Sequence, residues 1–230
     1  MRKKIGIVGY FPGPGSFGIT KPYMQFFQNF GKVVLISPWD KEIDDTLDLL
    51  VLPGGPDVDP FRYLTQDDEL SMFVGPPCWI REKFDRELLP KYVENQTPIF
   101  GICRGLQTLS VFFGAKLNQH IWEHETTPDH ERTKLVHHVK VHPAANLIPG
   151  LEFKRFEVNS LHHQTVANCP ENASILFTYD GKHTKGTEDG DIEGLTWFPN
   201  YPAHAVQWHP EEIYDKASIT LINSLLYPKK

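Results

Sequence analysis

Cys103 has a glycine two residues away on either side, in Gly101-Ile-Cys-Arg-Gly105. A strand-like run at 98–102 leads into it and a helix-like pattern at 103–113 leaves it. The thiol therefore falls on a sharp strand-to-helix turn, the logic of a nucleophile elbow with sulfur in place of oxygen. Glycine at both flanks lets strand and helix approach closely. The positive end of the helix favours the thiolate, which is the reactive form. With three cysteines and 17 glycines in 230 residues, chance would produce such flanking only roughly 0.016 times.

A thiol nucleophile needs a base, and the base needs an orienting group. His209-Pro-Glu211 follows a strand-like run at 203–208. In extended chain, residues two apart project to one side, so the spacing predicts that the Glu211 carboxylate reaches the His209 imidazole. Pro53-Gly-Gly-Pro56 follows another strand-like run, 48–52. Taken alone it is a turn. Placed at the same sheet edge, its N–H groups can face an oxyanion, with the N–H of Arg104 as the second donor for a tetrahedral intermediate.

These groups need a sheet to hold them. Apolar runs at 4–9, 32–37, 48–52 and 98–102 alternate with helix-length segments, one of which, 81–94, reads as an amphipathic surface helix. Beyond Gly114 the pattern becomes mostly strands, at 138–141, 156–159, 174–179, 192–197 and 203–208, before a terminal amphipathic helix at 215–226. The Pro/Gly stretches 12–18 and 53–60 read as loops at strand ends, where open α/β sheets bind ligands. No repeat or linker divides the chain, so one domain over residues 1–230 is expected.

The composition excludes several functions. Net charge is −6 with no basic cluster, which argues against nucleic acid. No apolar stretch approaches the ~18 residues of a membrane span, and the one behind Met1-Arg-Lys-Lys is too short for an export signal. Three scattered cysteines make neither a disulfide framework nor a four-cysteine zinc site, so a reducing cytoplasm is the expected compartment.

Five segments together carry a resemblance. Pro53-Gly-Gly-Pro-Asp-Val-Asp-Pro60, Pro98-Ile-Phe-Gly-Ile-Cys-Arg-Gly-Leu-Gln107, Leu117-Asn-Gln-His120, Val158-Asn-Ser-Leu-His-His-Gln164 and Val206-Gln-Trp-His-Pro-Glu211 occur in consistent order. The chain resembles the class I glutamine amidotransferase-like superfamily, and within it the peptidase C26 branch typified by γ-glutamyl-γ-aminobutyrate hydrolase. The resemblance implies an α/β, flavodoxin-like, mostly parallel sheet flanked by helices, with antiparallel strands added in the second half. It implies Cys103 as nucleophile, His209 as acid/base and Glu211 as orienter. The oxyanion hole maps to the backbone of Gly55 and Arg104. Gln107, one helical turn from Cys103, and the backbone of Ser160 and Leu161 map to groups that hold the glutamyl moiety. The pattern departs from the family at Arg81-Glu-Lys-Phe-Asp85, where the side-chain lengths of a common Arg-Asp-x-Phe-Glu are exchanged, and at Gly114-Ala-Lys-Leu117 and Glu212-Ile-Tyr-Asp215.

The expected activity is hydrolysis of the γ-glutamyl amide of a small metabolite, through a thioester, to glutamate and an amine. The alternative is a glutaminase subunit delivering ammonia to a synthetase, and a non-catalytic scaffold is the third reading. A synthetase partner belongs only to the second, whereas a homo-oligomer is compatible with any. No cofactor is expected. The histidines at 120, 124, 137, 138 and 142 mimic metal spacing, but no cysteine pair accompanies them and no metal is expected. The loops 61–79 and 124–137 are expected to cover the leaving group. Their acidic run Asp67-Asp-Glu69 reads first as a solvated turn; beside the pocket, it would favour a leaving group carrying an extra ammonium.

Overall fold

The apolar runs become strands whose alternate residues fill two separate cores. The computed structural model describes residues 2–13, 16–122, 124, 126–181 and 190–228. In chain order the elements begin β1 (Lys4–Val8), β2 (Tyr10–Gly13), β3 (Ser16–Gly18), α1 (Lys21–Phe27), β4 (Lys32–Ile36) and β5 (Leu49–Leu52). There follow α2 (Trp79–Glu87), α3 (Leu89–Glu94), β6 (Ile99–Ile102), α4 (Arg104–Phe112), β7 (Leu117–Asn118), β8 (His137–Val141), β9 (Arg155–Val158) and β10 (Thr165–Val166). The chain continues through β11 (Ser174–Tyr179), β12 (Ile192–Thr196), β13 (Ala203–Val206), α5 (Pro210–Ile213) and α6 (Lys216–Leu226).

One sheet runs in the order β4-β1-β5-β6-β13-β12-β11-β8-β9, with β10 and β7 attached beside β12. The pairings from β4 to β13 are parallel, and those from β13 to β9 are antiparallel. This is the expected class, a mostly parallel α/β centre with antiparallel strands added by the second half. On β5, Leu49 and Val51 face the core under α1 and α6, while Leu50 and Leu52 face the core under α2, α3 and α4. The period-2 alternation of a strand buried on both sides puts them there. The terminal helix α6 is capped by Asp215, whose carboxylate accepts from the Ser218 N–H at 2.7 Å.

Two readings are corrected. Residues 12–18 are not all loop, because β2 and β3 pair as a short antiparallel hairpin; Pro14 and Gly15 lie outside the described residues. The segment 81–94 is not one surface helix either. It breaks between α2 and α3 at Leu88, just ahead of Pro90, and it buries Arg81, Glu82 and Asp85. Proline cannot donate to the preceding turn, which accounts for the break. The buried charges meet partners that lie far away in sequence, as the site makes plain.

Candidate active site

Cys103 follows β6 and caps α4 with φ = 51° and ψ = −106°, a left-handed backbone that non-glycine residues rarely adopt. Its N–H donates to the Val206 carbonyl at 2.8 Å, so the neighbouring strand β13 fixes the turn. Close approach is what requires the flanking glycine: a Cβ on Gly105 would stand 2.1 Å from the Leu52 carbonyl oxygen. The thiol side chain is nearly buried and opens into a cavity of about 570 Å³, lined by Tyr10, Thr20, Pro22, Tyr23, Gly54, Gly55, Arg132, Leu161, His209 and Glu212 as well.

His209 comes off the adjacent strand β13 and contacts the Cys103 thiol. Its Nδ1 lies 2.7 Å from Oε1 of Glu211. The backbone route to that contact differs from the expected one. The strand ends at Val206, His209 caps α5, and Glu211 lies in the first turn of that helix rather than in extended chain. Burial would push the imidazole pKa down; the Glu211 carboxylate and Cys103 more than reverse this and hold it up at about 10. Asn159 clamps the backbone of His209, its Oδ1 accepting from the His209 N–H at 3.0 Å and its Nδ2 donating to the His209 carbonyl at 3.4 Å. The same Nδ2 donates to the Arg132 carbonyl at 2.8 Å, tying His209 to the cavity wall.

The Gly54-Gly55 turn is held from below. Arg81, fully buried, donates Nη1 to the Gly54 carbonyl and Nη2 to the Pro53 carbonyl, each at 3.0 Å. The Gly54 N–H donates to the Tyr23 hydroxyl at 2.9 Å, and Gly55 stands in the cavity wall. The Arg104 side chain points away from the cavity: Nη2 donates to Glu82 at 2.6 Å and Nη1 lies 2.9 Å from Asp85. Arg62 adds a second cation 2.9 Å from Asp85. Burial alone would raise the Asp85 carboxyl pKa, but Arg104, Arg81 and Arg62 hold it below the ordinary range. Burial and the nearby Arg104 push Arg81 down to about 10, so it stays charged at neutral pH. This network of buried charge braces both the glycine turn and the first turn of α4, and the periodicity of 81–94 gives no sign of it.

The remaining expected site residues divide. Leu161 lines the cavity. Ser160 beside it is buried, and its backbone is occupied by Thr127: its N–H donates to Thr127 Oγ1 at 2.8 Å and its carbonyl accepts from the Thr127 N–H at 2.7 Å. Gln107 is 4% exposed and is not in the cavity wall; its amide donates to the Gln164 carbonyl at 3.2 Å. Residues 61–79 contribute nothing to that wall, and Asp68 pairs instead with Lys116 at 2.8 Å. The loop 124–137 does contribute, through Arg132, which donates to Glu212 at 2.6 Å; Glu125 of that loop lies outside the described residues. The described residues able to hold a metal ion, His124, His137 and Glu193, form a separate cluster.

The model of the peptidase C26 family matches residues 11–211. The chain belongs to this family. It is 30% identical over 201 residues to the glutamine amidotransferase-like protein YvdE of Lactococcus lactis, covering 82% of this chain and 78% of that one. It is 30% identical over 176 residues to the γ-glutamyl-γ-aminobutyrate hydrolase PuuD of Escherichia coli, covering 72% of this chain and 64% of PuuD. A glutamine amidotransferase from Thermotoga maritima shares the fold over 99% of both chains at a TM-score of 0.65 and 13% identity. PurLQS from the same organism does so at 0.63 and 17%, over 98% of both chains. Peptidase C26 membership makes the protein a hydrolase of the glutamine amidotransferase-like type. Among the described residues, no helix is long and apolar enough to cross a membrane.

Proposed function

We propose that the chain is a cysteine hydrolase that cleaves the γ-glutamyl amide bond of a small γ-glutamyl amine, releasing glutamate and the free amine. The observation that carries the reading is the cavity floor, where a thiol in strained backbone touches an imidazole whose other side is bonded to a buried carboxylate at 2.7 Å. Cys103 Sγ attacks the γ-carbonyl carbon, and the oxyanion that develops is met by the N–H groups of Gly55 and Arg104. Glu211 holds Nδ1 of His209, leaving Nε2 for the thiol side. As the C–N bond breaks, Nε2–H gives its proton to the departing amine. Water then yields a proton to Nε2 and attacks the thioester carbonyl, which frees glutamate and restores the thiol pair. The continuous sheet from β1 to β13 supports reading residues 1–230 as one catalytic domain.

The cavity wall also bears on the leaving group. Arg132 and Glu212 put one charge of each sign there, and the acidic run 67–69 is not part of the wall. A wall of mixed charge suits an amine bearing its own carboxylate better than a polyamine. The resemblance to PurLQS keeps the ammonia-delivering glutaminase as the second reading. Glutamate release by the purified chain, measured over a panel of γ-glutamyl amides and glutamine, separates the two. We expect the highest kcat/KM on an N-substituted amide, and no turnover by Cys103→Ala. Preference for glutamine, or activity only after a second protein is added, assigns the chain to the amidotransferase subunits instead.

A further inference from the structure

Apart from Cys103, the fold gathers three imidazoles around one buried carboxylate. Glu193 on β12 is fully buried, and Nε2 of His124, His137 and His162 stand 3.2, 3.5 and 3.7 Å from its Oε1. The ligand atoms of His124, His137 and Glu193 lie within 4.8 Å of one another. The four side chains come from the segment before β8, from β8 itself, from the loop after β9 and from β12. The Tyr179 ring packs against both His124 and His137, with centroids 4.6 and 5.0 Å away.

Two observations distinguish this group from a hydrogen-bonded polar core. Neither ring nitrogen of His124 and neither oxygen of Glu193 makes a hydrogen bond of good geometry, although His124 Nε2 is only 3.2 Å from the carboxylate. The two are close in distance but misdirected in angle. A carboxylate so placed, out of reach of solvent, is destabilising unless a positive charge compensates it. The second observation concerns His162. Its Nδ1 lies 3.0 Å from the Gln164 carbonyl, which can only accept, so Nδ1 carries the hydrogen. The neutral ring therefore turns the bare lone pair of Nε2 toward the carboxylate. That orientation repels across an open gap and attracts across a cation, and a backbone carbonyl on Nδ1 is how metal-ligating imidazoles are commonly aimed. The three distances to Glu193, 3.2 to 3.7 Å, are close to the ~3.3 Å between ligands about 2.0–2.1 Å from a tetrahedral ion, and the ligand atoms of His124, His137 and Glu193 lie within 4.8 Å of one another.

We propose that His124, His137 and Glu193, with His162 as the fourth ligand, bind one zinc-class divalent cation. Imidazoles with a carboxylate and no thiolate suit Zn²⁺ and its first-row neighbours rather than Mg²⁺ or Ca²⁺. Four protein ligands leave no open position, so the ion is structural. It joins β8 and β12 to the loop that carries Leu161 into the cavity wall.

The test uses Cys103→Ala protein, which removes the active-site thiol as a competing ligand. After chelator treatment and dialysis against Zn²⁺, we expect about one ion per chain and a Tm raised by several degrees. Co²⁺ in place of Zn²⁺ should give the strong visible absorption of a four-coordinate site. In the same background, Glu193→Gln and His124→Ala should each lower metal affinity about tenfold or more and abolish the Tm rise. Uptake by Glu193→Gln equal to that of its parent overturns the proposal, as does absence of stoichiometric uptake by the parent. Should those variants fail to fold, the Co²⁺ spectrum of the parent decides: a weak, six-coordinate spectrum overturns the site.

Discussion

Cys103 is held at φ = 51° by its neighbours, a conformation worth about 1–3 kcal/mol of strain that persists only because the strand on one side and the helix on the other leave no alternative. Its proposed base is held just as firmly, since Glu211 fixes one ring nitrogen and Asn159 both backbone groups of His209. Removing the imidazole removes the proton carrier, whereas amidating Glu211 only loosens it. His209→Ala should therefore lower kcat by roughly 10³-fold or more, and Glu211→Gln by less; equal losses in steady-state assays would mean the base lies elsewhere. The raised pKa of His209, about 10, also has a signed consequence. Because it exceeds the unfolded value of about 6.5, protonation of His209 stabilises the fold fully below that pH and loses its effect as pH rises through 10. Urea unfolding should thus show the advantage of wild type over Glu211→Gln shrinking from pH 7 to pH 10. A constant advantage would show that the charge pairing contributes nothing. Cys103 and His209, the proposed nucleophile and base, stand out in the sequence because each sits in a short motif. Asn159 does not, since its partner is 50 residues away.

At the scale of elements, what determines the site is how closely α4, β5 and the glycine turn approach. A Cβ on Gly54 would lie 2.7 Å from Cε1 of His209 and 3.0 Å from the Tyr23 hydroxyl. Gly54→Ala should displace the imidazole while leaving both cores intact, so kcat/KM should fall about 10²-fold with Tm nearly unchanged. Unchanged activity would remove His209 from the reaction centre. The buried strands are legible here as short apolar runs, as β5 and β6 demonstrate. The underside of the site is not, because Arg81, Glu82 and Asp85 look like the solvent face of an amphipathic helix. Only the arrival of Arg104 and Arg62 from other elements makes the burial of Glu82 and Asp85 tolerable, while Arg81 is satisfied by the carbonyls of the glycine turn. Likewise, the metal-like spacing in the sequence pairs His124 with His120 and His137 with His138 and His142, whereas in the fold it is Glu193 that brings 124, 137 and 162 to one point.

Across the whole molecule, the parallel and antiparallel halves of the sheet meet at β13, which lies between β6 and β12. The alternation of β and α in the first half is readable in the chain. This insertion is not, because it depends on pairing between residues as distant as Ile102 and Val206. The centre of the sheet is therefore filled by its last strand in chain order, and non-local pairing of that kind is slow. During refolding from urea, recovery of activity should lag behind recovery of far-UV circular dichroism, and simultaneous recovery would show that β13 is seated early. A ribosome faces the same geometry. Once Cys103 has been added, about a hundred further residues must follow before β13 exists, roughly 5–20 s of synthesis during which the nascent chain carries its sulfur without its base. On the proposed mechanism the enzyme is thereby made inert and becomes competent only when its architecture is finished.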